Sequence, residues 1–127
     1  MAKEFATCIN CMDGRVQKPV AEYIEKNFNV DYVDMITEPG PNKILAESKE
    51  ANIIACLKKK VQISVEKHKP QIIAVAGHYD CAGNSENEDV QKEHLRQAVN
   101  VIDSWGFPVR KIIALWVDEN FKPSMIG

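Results

Sequence analysis

Two short stretches hold most of the side chains able to do chemistry: Cys11-Met12-Asp13-Gly14-Arg15 and His78-Tyr79-Asp80-Cys81. Between them they offer two thiols, an imidazole, carboxylates and a guanidinium. Thiolate and neutral imidazole are good ligands for a borderline-soft ion such as Zn2+. A catalytic zinc site uses three protein ligands and leaves one position open, and Cys11, His78 and Cys81 make such a set. Two thiolates cancel the charge of the ion. A water on such a site is therefore less acidified than one on a three-histidine site, and neighbouring groups must help. Asp13 is suited to accept a hydrogen bond from that water, or to hold a substrate. Arg15, two residues on, can pair with it bidentately and keep it ionised.

Cys8 opens two competing readings. Cys8 and Cys11 form a C-x-x-C, which can be a redox pair or half of a closed four-ligand site with His78 and Cys81. Cys8, however, falls inside an apolar run that reads as a strand, where a spacing of three sends side chains to opposite faces. It is read here as a core thiol.

The elements that must position these groups alternate in type. Phe5 to Asn10 reads as a first strand, followed by a turn at Asp13-Gly14-Arg15. Pro19 suits the first turn of a helix, and Val20, Tyr23, Ile24 and Phe28 continue at helical spacing. Tyr32 to Ile36 reads as a second strand. Glu38-Pro39-Gly40-Pro41-Asn42 is a strong loop signal. A long helix is expected from about Ile44 or Ser48 to Lys67, with Cys56 buried near its apolar stripe. Gln71 to Gly77 is a near-continuous apolar run, as in a strand buried on both faces of a parallel sheet. A polar loop from Asn84 to Asp89 leads to a helix over Glu88 to Trp105, with Val90, Leu95, Val99 and Ile102 inward. Ile112 to Val117 reads as a fourth strand and Phe121 to Gly127 as a tail. His68 at a helix C-terminus and His94, a surface or interface histidine, are given no catalytic role.

This order predicts one α/β domain over residues 1–127, with a mainly parallel four-stranded sheet and helices on both faces. In such sheets ligands bind beyond the carboxyl ends of the strands. Cys11 lies past the first strand, and His78 and Cys81 lie past the third. The three side chains can meet if those two strands are neighbours.

A length of 127 residues fits one domain with a sizeable core, and the net charge of -2 gives no electrostatic case for nucleic acid or an anionic membrane. No apolar stretch approaches the roughly 18 residues a membrane span needs. The start leaves no room for a signal peptide before the first strand. A cytoplasmic location is therefore expected, where cysteines serve as metal ligands or buried thiols more often than as disulfides.

With C-x-D-x-R after the first strand and Gly77-His78-Tyr79-Asp80-Cys81-Ala82-Gly83 after the third, the chain resembles the β-class carbonic anhydrases. The resemblance implies strand order 2-1-3-4, zinc held by Cys11, His78 and Cys81, and a catalytic dyad of Asp13 and Arg15. In the family the aspartate sometimes takes the fourth zinc position in an inactive form. The implied reaction is reversible hydration of CO2 to bicarbonate by zinc-bound hydroxide, in a homodimer or higher homo-oligomer with active sites near the interface. The chain departs from the family pattern: Thr37-Glu38-Pro39-Gly40-Pro41 stands where an Arg-Asn-Ala-Gly-like stretch is frequent, Ala82 replaces a glycine, and the tail after Val117 is too short for the family's full fifth strand. The altered loop leaves open a CO2-like substrate such as carbonyl sulfide or carbon disulfide. It also leaves open a non-catalytic zinc-binding module.

Overall fold

A computed structural model describes residues 2–127. Its strands are β1 (Phe5–Cys11), β2 (Tyr32–Glu38), β3 (Ile72–His78), β4 (Lys111–Val117) and β5 (Pro123–Ile126), and its helices are α1 (Gln17–Phe28), α2 (Pro41–Glu47), α3 (Ala51–His68) and α4 (Glu88–Ser104). One sheet runs in the order β2-β1-β3-β4-β5. The first four strands are parallel, and β5 is antiparallel to β4. β1 and β3 are thus neighbours, as the chemistry required.

The sheet is covered on both faces, so β3 is buried at every position and its apolar run needs no alternation. On one face Val16, Val20 and Ile24 pack against Ala6, Cys8, Ala74 and Leu115. On the other, Leu57, Val61 and Val65 of α3 and Leu95, Ala98 and Ile102 of α4 pack against Ile9, Ile73, Val75 and Trp116. The result is a three-layer domain core.

Five expectations are corrected. The sheet has five strands, not four: Pro123 to Ile126 pairs with Val117 to Ala114. A proline is tolerated there because it opens an edge strand, where a missing N–H is cheap. Pro41 does not sit in a loop but opens α2, where its fixed φ suits a first helical position. The long helix does not start at Ile44: Ser48 takes a left-handed φ of 54° that ends α2, and α3 starts at Ala51, near the later of the two expected starts. Cys56 is exposed. The α3 stripe runs through Leu57, Val61, Ser64 and Val65, and Cys56 stands about 100° round the helix from Leu57. Val90 points outward and is 37% exposed; the inward place on that turn belongs to Gln91.

Candidate metal centre

β1 and β3 end on the chemistry. Cys11 is the last residue of β1 and His78 the last of β3, one step earlier than the sequence suggests. Cys81 follows in a turn whose backbone bridges to Asn84. Ligand-capable atoms of Cys11, His78 and Cys81 all lie within 4.8 Å of one another, and no other such group occurs among the described residues. Cys8 is outside it: the side chain is fully buried in the α1-side core, and burial alone pushes its thiol far up.

The group has the shape of a metal cage. Cys11 Sγ and Cys81 Sγ are 3.8 Å apart; at about 2.3 Å from a tetrahedral zinc, two sulfurs stand about 3.8 Å apart. The His78 Nδ1–H donates to the Tyr79 carbonyl at 2.8 Å, which leaves Nε2 buried with no hydrogen-bond partner. A buried, unpartnered imidazole nitrogen is costly unless something accepts its lone pair. A backbone bond at the other nitrogen is the usual way to orient a ligating histidine.

The electrostatics suit a cation. The Cys81 thiol, His78 and the backbone N–H groups of Gly40 and Asp13 hold the Cys11 thiol well below its usual range, against the effect of burial. Cys81 moves the other way, raised by the Cys11 sulfur beside it and by burial. Burial opposes protonation of His78, but the Cys11 sulfur and the Tyr79 carbonyl outweigh it, so the net shift is upward.

Asp13 and Arg15 lie in a 3₁₀ turn that Asp13 itself caps, its Oδ1 accepting from the Arg15 N–H at 2.9 Å. The guanidinium returns two bonds, Nη2 to Oδ2 at 2.7 Å and Nε to Oδ1 at 3.1 Å. These bonds hold the Asp13 carboxyl down to about 2. Arg15 also reaches the second loop, donating to the Asp80 carbonyl at 3.1 Å and its carboxylate at 3.3 Å. One guanidinium therefore ties the two chemical stretches together. The Asp13 carboxylate is engaged by Arg15 and stands outside the 4.8 Å group.

Five supporting polar residues, Asn10, Gln17, Asn42, Asn84 and Gln91, carry no local signal in the sequence. Asn10, buried, accepts from the Cys11 N–H and donates to the Val16 carbonyl. Gln17 donates to the carbonyls of Cys11 and Asp13 at 2.6 and 3.0 Å. Gln91 is buried on α4 and aims its Nε2 at the carbonyls of His78, Asn84 and Glu86. Asn42 bonds to Gln91 and to Asn84, and His94, expected at the surface or an interface, meets the Asn84 amide at 3.1 Å. This network fixes the His78–Asn84 turn from behind. An Asn or Gln in a loop or helix reads as solvated, and only its long-range partners reveal otherwise.

Gly40 and Gly83 pass so closely that no side chain fits between the two loops. A Cβ at Gly83 would stand 2.5 Å from the Pro39 carbonyl carbon and 2.7 Å from the Gly40 nitrogen. Gly83→Ala is thus expected to destabilise the metal-free protein by about 1–3 kcal/mol. A urea unfolding curve checks this, and an unchanged midpoint would contradict the contact.

The fold is that of the β-carbonic anhydrases. A chain from the crystal structures of two tetrameric β-carbonic anhydrases of the filamentous ascomycete Sordaria macrospora matches with a TM-score of 0.54 and 11% identity, over 100% of this chain and 82% of that one. The β-carbonic anhydrase CafA of the fungal pathogen Aspergillus fumigatus matches with a TM-score of 0.53 and 10% identity, over 98% of this chain and 76% of that one. Among curated proteins no match is found. The family model described as "Putative carbonic anhydrase" covers residues 1–127, and the chain belongs to that family.

Proposed function

We propose that this protein is a zinc-dependent carbonic anhydrase that interconverts CO2 and bicarbonate. The carrying observation is the three-donor cluster of Cys11, His78 and Cys81, with an ionised carboxylate, Asp13, clamped two residues from the first donor. Family membership and the shared fold support the same reading. Stopped-flow CO2 hydration by zinc-loaded protein tests it: turnover above buffer is expected, and failure at every pH would refute it.

Cys11, His78 and Cys81 would hold the ion. When bound, zinc supplies Lewis-acid activation of water for attack on CO2. Asp13 presents an anionic oxygen that accepts a hydrogen bond from the reacting water and orients it. Arg15 keeps that oxygen ionised and fixed, so the group is ready before substrate arrives. With its carboxyl held near 2, Asp13 stays charged across the working range. Loss of turnover in acid therefore follows the metal ligands, not Asp13.

Metal uptake is expected to release protons. The Cys11 thiol is held down and the Cys81 thiol is raised by its neighbour, so the pair shares at least one proton that must leave before both bind as thiolates. At least roughly one proton from the cysteine pair should appear per zinc. Protons compete with the metal, so affinity rises with pH. Calorimetric titration in buffers of different ionisation enthalpy measures this; zinc binding without proton release would contradict it.

No helix among the described residues is long and apolar enough to cross a membrane. Met12 and Tyr79, which flank the ligands on the two loops, are 61% and 51% exposed. Two exposed apolar side chains beside the site fit coverage by a second copy, and the Sordaria macrospora relatives are tetrameric. Homo-oligomerisation and a cytoplasmic location complete the proposal.

A further inference from the structure

Phe121 lies beyond β4, in a segment that the reaction as described above does not use. Its φ is 58°, a left-handed conformation that aromatic residues rarely adopt. Gly or Asn would sit there with little strain. The strain is held by a tight loop. The Phe121 N–H donates to the Asp118 carbonyl at 2.9 Å, and the Asp118 N–H to the Lys122 carbonyl at 3.2 Å. Asp118 Oδ1 also accepts from the N–H groups of Asn120 and Lys122 at 2.8 and 3.0 Å. Backbone strain maintained by surrounding bonds is characteristic of functional positions.

The ring that this loop presents lies against Arg15. The guanidinium carbon is 5.2 Å from the Phe121 ring centroid, inside the range of a cation–π contact. The ring adds a face to the edge-on bonds that Arg15 already donates to Asp13 and Asp80. The Arg15 side chain is 46% exposed, and of its two carboxylate partners Asp13 is half-buried while Asp80 is 70% exposed. The ring is itself anchored, because Phe121 packs on the α1-side core.

We propose that Phe121 is a positioning residue: its ring face holds the Arg15 guanidinium in register with the Asp13 carboxylate. The left-handed turn at Asp118–Lys122 exists to deliver that face. The effect on turnover rests on the carbonic anhydrase reading; the effect on Arg15 does not.

The test uses the zinc-loaded full chain with Phe121→Leu, which removes the ring face while remaining apolar, and Phe121→Tyr, which keeps the face. Phe121→Met replaces the leucine variant should that fail to fold. Two quantities are read: the order of the Arg15 Nε–H by ¹⁵N relaxation, and kcat/KM for CO2 hydration at equal zinc content. Loss of the ring face is expected to lower Arg15 order and to reduce kcat/KM about two- to five-fold, with tyrosine restoring both. Arg15 order unchanged in the leucine or methionine variant would overturn the proposal. So would a tyrosine variant as impaired as leucine. If the wild-type protein hydrates no CO2, the carbonic anhydrase reading fails by itself, and the relaxation data alone decide the role of Phe121.

Discussion

In Cys81→Ser, zinc affinity is expected to fall by at least about a hundred-fold, with loss of CO2 hydration. Changing a residue merely behind the ligands typically costs 10- to 100-fold in affinity, so removing a ligand should cost no less. The replacement is also poor chemically. A serine hydroxyl is a harder, far less acidic donor than a thiol, and Cys81 is only 5% exposed, so little water can enter to take its place. The variant should still fold, because its turn is held by Gln91 and Asn84, not by the sulfur. Competition with a chromophoric chelator reads the affinity, and circular dichroism confirms the fold. Zinc affinity equal to wild type would remove Cys81 from the ligand set.

The second large effect is expected at Asp13. Asp13→Ala should keep zinc yet lose about a hundred-fold or more in kcat, the scale of a positioned proton-handling group. Its carboxylate stands outside the three-donor cluster, which is why metal content should survive. Both of its oxygens are occupied by Arg15, so the variant also frees the guanidinium that bridges to Asp80. Arg15→Ala should reproduce much of the loss for the same reason. Parallel zinc analysis and stopped-flow rates separate the outcomes. If Asp13→Ala lost zinc and activity together, Asp13 would be a ligand and not a partner of the reacting water.

Why some of this was legible in the sequence and some was not follows from range. Cys11 and His78 could be placed because each ends an apolar run, and runs of that kind in alternation with helices imply a parallel sheet whose ligand edge is known. The adjacency of β1 and β3 came only from the family resemblance. The Asp13–Arg15 pair is local, two residues apart, and so was readable. α2 was hidden because Pro39-Gly40-Pro41 reads as a loop, although a proline can also open a helix. β5 is four residues long and begins with proline, too short for its period to register. Gln91, Asn42 and Asn84 were invisible as site residues: Asn42 and Gln91 stand 49 positions apart, and nothing local distinguishes a buried amide from a solvated one. Phe121 reads as part of a tail because its partner, Arg15, lies at the other end of the chain.

The most direct test of the central assignment is ¹⁸O exchange between CO2 and water, followed by mass spectrometry at chemical equilibrium on protein of measured zinc content. The predicted result is catalysed loss of ¹⁸O from CO2 that scales with bound zinc, rises with pH and disappears in the demetallated protein. Full zinc occupancy with exchange no faster than buffer at any pH would contradict it. The same cluster would then be a structural metal site or one serving another substrate.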